Sequence, residues 1–128
     1  MKLVLDTNVL VSGLLWNGPP ARILDRVDDG VDRLFISRPL LAELAAVLSR
    51  PKFVAAFRRF GHDPLDLIAA VAARAVVLES KPLGARVVAA DPADDQVLAC
   101  AATAGVDFIV TGDTHLLRIA RFAGAPIL

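Results

Sequence analysis

Tyrosine is absent, tryptophan and cysteine occur once each, and histidine twice, in a chain of 128 residues. With Cys100 alone, no internal disulfide can form and no thiolate cluster can hold a metal; the residue suits a small core position. His62 and His115 have no regular ligand spacing, which excludes a zinc signature. Scarce aromatics in a chain that is 55% hydrophobic leave the core to Ala, Val, Leu and Ile from several packed elements. An excess of either charge is also missing, with 14 basic and 14 acidic side chains. Any attraction to nucleic acid must then come from local patches and bound cations. The longest unbroken apolar run, Leu67 to Ala73, is far below the roughly 20 residues needed to cross a bilayer. Leu3-Val4-Leu5 is too short for a signal-peptide core and has no cleavage site after it. The expectation is a cytoplasmic protein with no membrane contact.

The length suits one domain, taken as residues 1–128. Apolar runs of strand length alternate with helical patterns, which predicts α/β units around a central parallel sheet. Strands are expected at Leu3 to Leu5, Arg33 to Ser37, Val76 to Leu78 and Phe108 to Val110. A further edge strand is expected at Pro126 to Leu128, and at most a short extended piece at Arg86 to Ala89 within the loop from Ser80 to Pro92. Helices are expected over Thr7 to Trp16, Ala21 to Val27, Ser37 to Arg50, Pro51 to about Phe60, Leu65 to Ala75, Pro92 to Ala104 and Thr114 to Phe122, with Pro and Gly marking their ends.

In parallel α/β sheets ligands collect beyond the carboxyl ends of the strands. Asp6 and Asp113 each follow a buried-strand run and precede a helix, so they share that end of the sheet. Helix N-capping explains each equally well on its own. Asp91-Pro92-Ala93-Asp94-Asp95 supplies an N-cap in Asp91 and more acid than a cap needs. Asp94 and Asp95 point about 100° apart on a helix, so one of them at most faces a cleft directly. Glu43 lies beside the stripe of Leu40, Leu41, Leu44, Val47 and Leu48, near the start of its helix; a solvated surface glutamate is the plainer reading. Carboxylates crowded together repel unless a cation or a proton intervenes, and a hard divalent ion such as Mg²⁺ suits oxygen ligands.

Four segments carry a family pattern: Leu3-Val4-Leu5-Asp6-Thr7-Asn8-Val9-Leu10, Leu40-Leu41-Ala42-Glu43-Leu44, Asp91-Pro92-Ala93-Asp94-Asp95-Gln96-Val97-Leu98, and Val110-Thr111-Gly112-Asp113-Thr114-His115-Leu116-Leu117. Over essentially its whole length the chain resembles the PIN-domain family, and within it the bacterial branch of VapC-related toxins of toxin–antitoxin pairs. The resemblance implies a three-layer α/β/α sandwich, Mg²⁺- or Mn²⁺-dependent hydrolysis of RNA, an antitoxin partner and a homodimer. Carried over by motif, Asp6, Glu43, Asp94 and Asp113 would be the catalytic, metal-binding acids, oriented by Thr7, Asn8 and Thr111. Asp95 stands where that branch commonly has Asn, which leaves the third ligand open between Asp94 and Asp95. Phosphodiester hydrolysis at such a site uses water activated by one or two ions and requires no histidine base. His115 is expected to cap or pack, and His62 to be solvated. Lys81, Arg86 and Arg38 are the leading substrate-binding cations, with Arg58 and Arg59 a solvated helix face. Trp16 suits either core or a partner surface, while Leu14 and Leu15 suit core.

Three rivals share parts of this pattern. A haloacid-dehalogenase-like phosphatase wants an acid two residues after its first Asp, where this chain has Asn8. A receiver domain wants an aspartate in the middle of the sequence, and none occurs between Arg38 and Gly61. A PIN fold kept as a non-catalytic interaction module normally loses acidic ligands, and all four acids are present here.

Overall fold

A computed structural model describes residues 1–83 and 92–128. The central sheet has four parallel strands, β1 (Lys2–Leu5), β2 (Arg33–Ser37), β3 (Ala75–Leu78) and β4 (Phe108–Val110), in spatial order β3-β2-β1-β4. Leu3 pairs with both Leu34 and Phe108, so β1 lies inside the sheet. The consecutive buried residues of β1 and of β2 are what strands covered on both faces require. β3 forms an edge, and its Val76 and Val77 stay exposed.

Helices α1 (Thr7–Leu15) and α2 (Pro19–Asp28) connect β1 to β2, and α3 (Arg38–Leu48), α4 (Pro51–Arg59) and α5 (Pro64–Arg74) connect β2 to β3. Helix α6 (Pro92–Ala104) precedes β4, and α7 (Thr114–Ile119) follows it. The steps β1 to β2 to β3 run one way across the sheet, and the step to β4 crosses back. Helix α6 packs on β1 and β2, burying Val97, Leu98, Cys100 and Ala101. Burial pushes the Cys100 thiol up to about 11, so it is an inert core group.

Proline opens α2, α3, α4 and α5, at positions where its missing amide costs nothing. For α2 this moves the start to Pro19, ahead of the expected Ala21. Gly13 lets α1 approach α2, because a Cβ there would lie 2.8 Å from Leu24 Cδ1 and 3.0 Å from the Pro20 carbonyl. Gly105, at φ 65°, ends α6 where expected.

The last helix is shorter than its sequence suggests. It stops at Ile119, and Ala120 turns to φ 65°. The chain then folds into an antiparallel hairpin of β5 (Arg121–Phe122) and β6 (Ala125–Pro126). Beyond it, Leu128 donates to the Ile109 carbonyl and accepts from the Thr111 amide, so the final residues run alongside β4 as an edge. The extended piece expected at Arg86 to Ala89 and the Asp91 cap lie outside the described residues.

Candidate acidic site at the sheet switch point

β1 and β4 are neighbours in space although β1 is followed by β2 in the chain, so the strand order reverses direction between them. A crevice forms beyond strand ends at such a point. The Asp6 amide donates to the Val110 carbonyl at 3.1 Å, which ties the exit of β1 to that of β4.

Asp6 is buried and carries out both roles open to it. Its Oδ1 accepts from the Val9 amide at 2.9 Å and caps α1, while Oδ2 accepts from the Thr111 hydroxyl. Thr111 Oγ1 in turn accepts from the Asp113 amide at 2.9 Å. Asp113 caps α7 through its Oδ1, which accepts from the His115 amide at 2.7 Å and lies 3.3 Å from His115 Nδ1. Glu43, in the second turn of α3, accepts from the Thr7 hydroxyl at 2.8 Å through Oε2. Asp94, in the first turn of α6, is 6% exposed.

Asp6, Glu43, Asp94 and Asp113 all line one cleft of about 190 Å³. Asn8 lines it too, and Val47 and Val97 add apolar wall. Asp95 is half-buried and is not part of the lining. The donor set is chiefly carboxylate, the hard oxygen chemistry suited to Mg²⁺ or Mn²⁺. Ligand atoms of Asp94, Asp113 and His115 lie within 4.8 Å of one another, close enough to hold a metal ion.

Of the cations named from sequence, Arg38 and Lys81 do not line this cleft. Arg38 is exposed and pairs with Glu79 at 2.5 Å. Lys81 donates its amide to Thr103 and borders a different depression. Arg86 is outside the described residues, and Arg58 and Arg59 are exposed. His62 lines a separate cleft beside Asp66 and Arg74. Trp16 is 63% exposed, whereas Leu14 and Leu15 pack against the core. Arg50 lines the acidic cleft and was missed. The signal was present: Glu43, Val47 and Arg50 are spaced i, i+4, i+7, one face of a helix.

Fold and cleft together define a parallel α/β protein with an acidic site at its topological switch point. The chain belongs to the PIN-domain family, whose model matches residues 2–115. PIN domains are generally nucleases, and membership supports a nuclease-type function. Among solved structures, PAE2754 from Pyrobaculum aerophilum is similar at 20% identity and a TM-score of 0.55, covering 99% of this chain and 92% of that one. FitAcB from Neisseria gonorrhoeae is similar at 23% identity and a TM-score of 0.48, with 98% and 96% covered. No curated protein matches the chain. No helix among the described residues is long and apolar enough to cross a membrane.

Proposed function

We propose that residues 1–128 act as one domain, a divalent-metal-dependent endoribonuclease that hydrolyses RNA phosphodiester bonds, with Asp6, Glu43, Asp94 and Asp113 as its metal-binding and catalytic acids. The observation that carries this reading is the convergence of those four side chains on one cleft from separate segments of the chain. Thr111 and the Val9 amide fix both oxygens of Asp6. Thr7 donates to Oε2 of Glu43, which orients the carboxylate and leaves Oε1 for a metal ion or its bound water. A bound Mg²⁺ or Mn²⁺ would supply nucleophile activation and charge neutralisation at the phosphate.

The toxin role, the antitoxin partner and a homodimer belong to the same proposal and draw their support from the four sequence motifs. A dehalogenase-like phosphatase gains nothing from the cleft, since Asn8 lines it where that chemistry needs an acid.

Purified protein is expected to cut single-stranded RNA with Mg²⁺ or Mn²⁺ and to stop on addition of chelator. Asp6→Asn should lower the rate by roughly a hundredfold or more while circular dichroism stays that of the folded chain. Undiminished cutting by that variant would remove Asp6 from the site.

A further inference from the structure

We infer that Arg50 is a phosphate-binding residue of this cleft and grips the backbone of a single RNA strand beside the bond to be cut. The inference rests on the nuclease reading and adds to it the anchor that the cleft's acids cannot supply. Four carboxylates and a polyanionic strand repel each other, and a strand that must lie across them needs a fixed positive group at the rim.

Arg50 is placed for that task by the chain on both sides of it. Helix α3 ends at Leu48, and Arg50 continues the line of Glu43 and Val47 along the cleft wall. Its amide donates to the Val47 carbonyl at 3.1 Å, and its own carbonyl accepts from Phe53 and Val54 at the start of α4. Pro51 restricts the residue before it to extended backbone, and Arg50 has φ −65° and ψ 138°. The backbone is therefore held at the junction while the exposed side chain is left to reach along the cleft.

Like Arg22, Arg33, Arg58, Arg59, Arg118 and Arg121, Arg50 is in no ion pair among the described residues, and it is set apart by lining the acidic cleft. Arg26, Arg38 and Arg74 each hold a carboxylate, from Asp32, Glu79 and Asp28 respectively. Arg50 borders a cleft lined by four acids, yet among the described residues it forms no ion pair with any carboxylate. Nearly two helical turns of chain, carrying apolar Val47, separate it from Glu43, a spacing that sets the two backbones roughly 10 Å apart. A guanidinium kept off its acidic neighbours remains available for an anion. Its planar fork matches two phosphate oxygens at once, a geometry lysine does not reproduce.

Binding of a labelled single-stranded RNA oligonucleotide, followed by fluorescence anisotropy over a range of salt, tests the assignment. Asp6→Asn serves as the background so that the probe stays intact. Arg50→Gln should weaken binding about tenfold and flatten the salt dependence by about 0.7 in log–log slope, the value for one lost contact to a single strand. Arg50→Lys should recover the slope and only part of the affinity. Mn²⁺ affinity, read by electron paramagnetic resonance on the chain with Asp6 intact, should not change in Arg50→Gln, and thermal unfolding should stay within a degree or two. Equal RNA affinity and slope in Arg50→Gln would overturn the assignment and leave the nuclease reading standing. An altered Mn²⁺ affinity with unaltered RNA binding would likewise overturn it. If the intact chain bound no RNA at any salt, both would fall together.

Discussion

Asp32 is buried and meets three donors: Arg26 Nε at 2.7 Å, Arg26 Nη2 at 3.4 Å and the terminal ammonium of Met1 at 3.2 Å. The hydrogen bond from Arg26 holds its carboxyl below the usual carboxylate range, with help from the ammonium. A carboxyl lowered on folding contributes stability above its unfolded pKa of about 3.9, and loses it as pH falls through the lower folded value. Asp32→Asn should therefore be less stable than the parent at neutral pH, with the gap closing below about pH 4. Urea unfolding at a series of pH values reads this directly, and a gap that persists at low pH would mean the ion pair is not its source. Asp32 was not legible in the sequence as a special residue, because a charge reveals its partners only after folding, whereas the spacing that aligns Arg50 with Glu43 was there to be read. Asp6 and Asp113 were legible, although capping and site chemistry looked like rivals there. A carboxylate has two oxygens, and in Asp6 one caps the helix while the other faces Thr111.

Elements with internal periodicity and a proline or glycine at their ends were readable: β2, β4 and α6 fall where the pattern put them. The end of α7 was not, because no local signal stops a helix before Gly124. The stop comes from tertiary structure, where the Ile127 amide donates to the Ala120 carbonyl at 2.8 Å and the hairpin closes behind it. Ala120 adopts φ 65° to allow this, a conformation that costs a residue with a Cβ about 1–2 kcal/mol. Ala120→Gly is expected to stabilise the fold by about 1 kcal/mol, less the entropy that glycine adds to the unfolded chain. Calorimetry should show a melting temperature a few degrees higher, and a lower one would indicate that the turn is unstrained.

The cleft belongs to the molecule as a whole, since β1, β4, α3 and α6 must all be docked before its acids meet. Such a cluster opposes folding at neutral pH unless a cation relieves the repulsion. Saturating Mn²⁺ at about a hundred times its dissociation constant should add about 2.7 kcal/mol and raise the melting temperature by several degrees. Chelator should reverse the shift and Asp6→Asn should blunt it. A melting curve indifferent to the ion would argue that the acids do not share one. The parallel sheet was readable from alternation alone, whereas its strand order, with the switch point between β1 and β4, and the meeting of Glu43 with Thr7 across 36 positions were not.

The acids stand at positions 6, 43, 94 and 113 of 128. A polypeptide still being made on a ribosome therefore lacks the complete set until Asp113 has been added. On the proposed function, a growing chain that stops short of Asp113 is harmless to the message that encodes it, and its cutting power arrives only with the segment that carries this fourth acid.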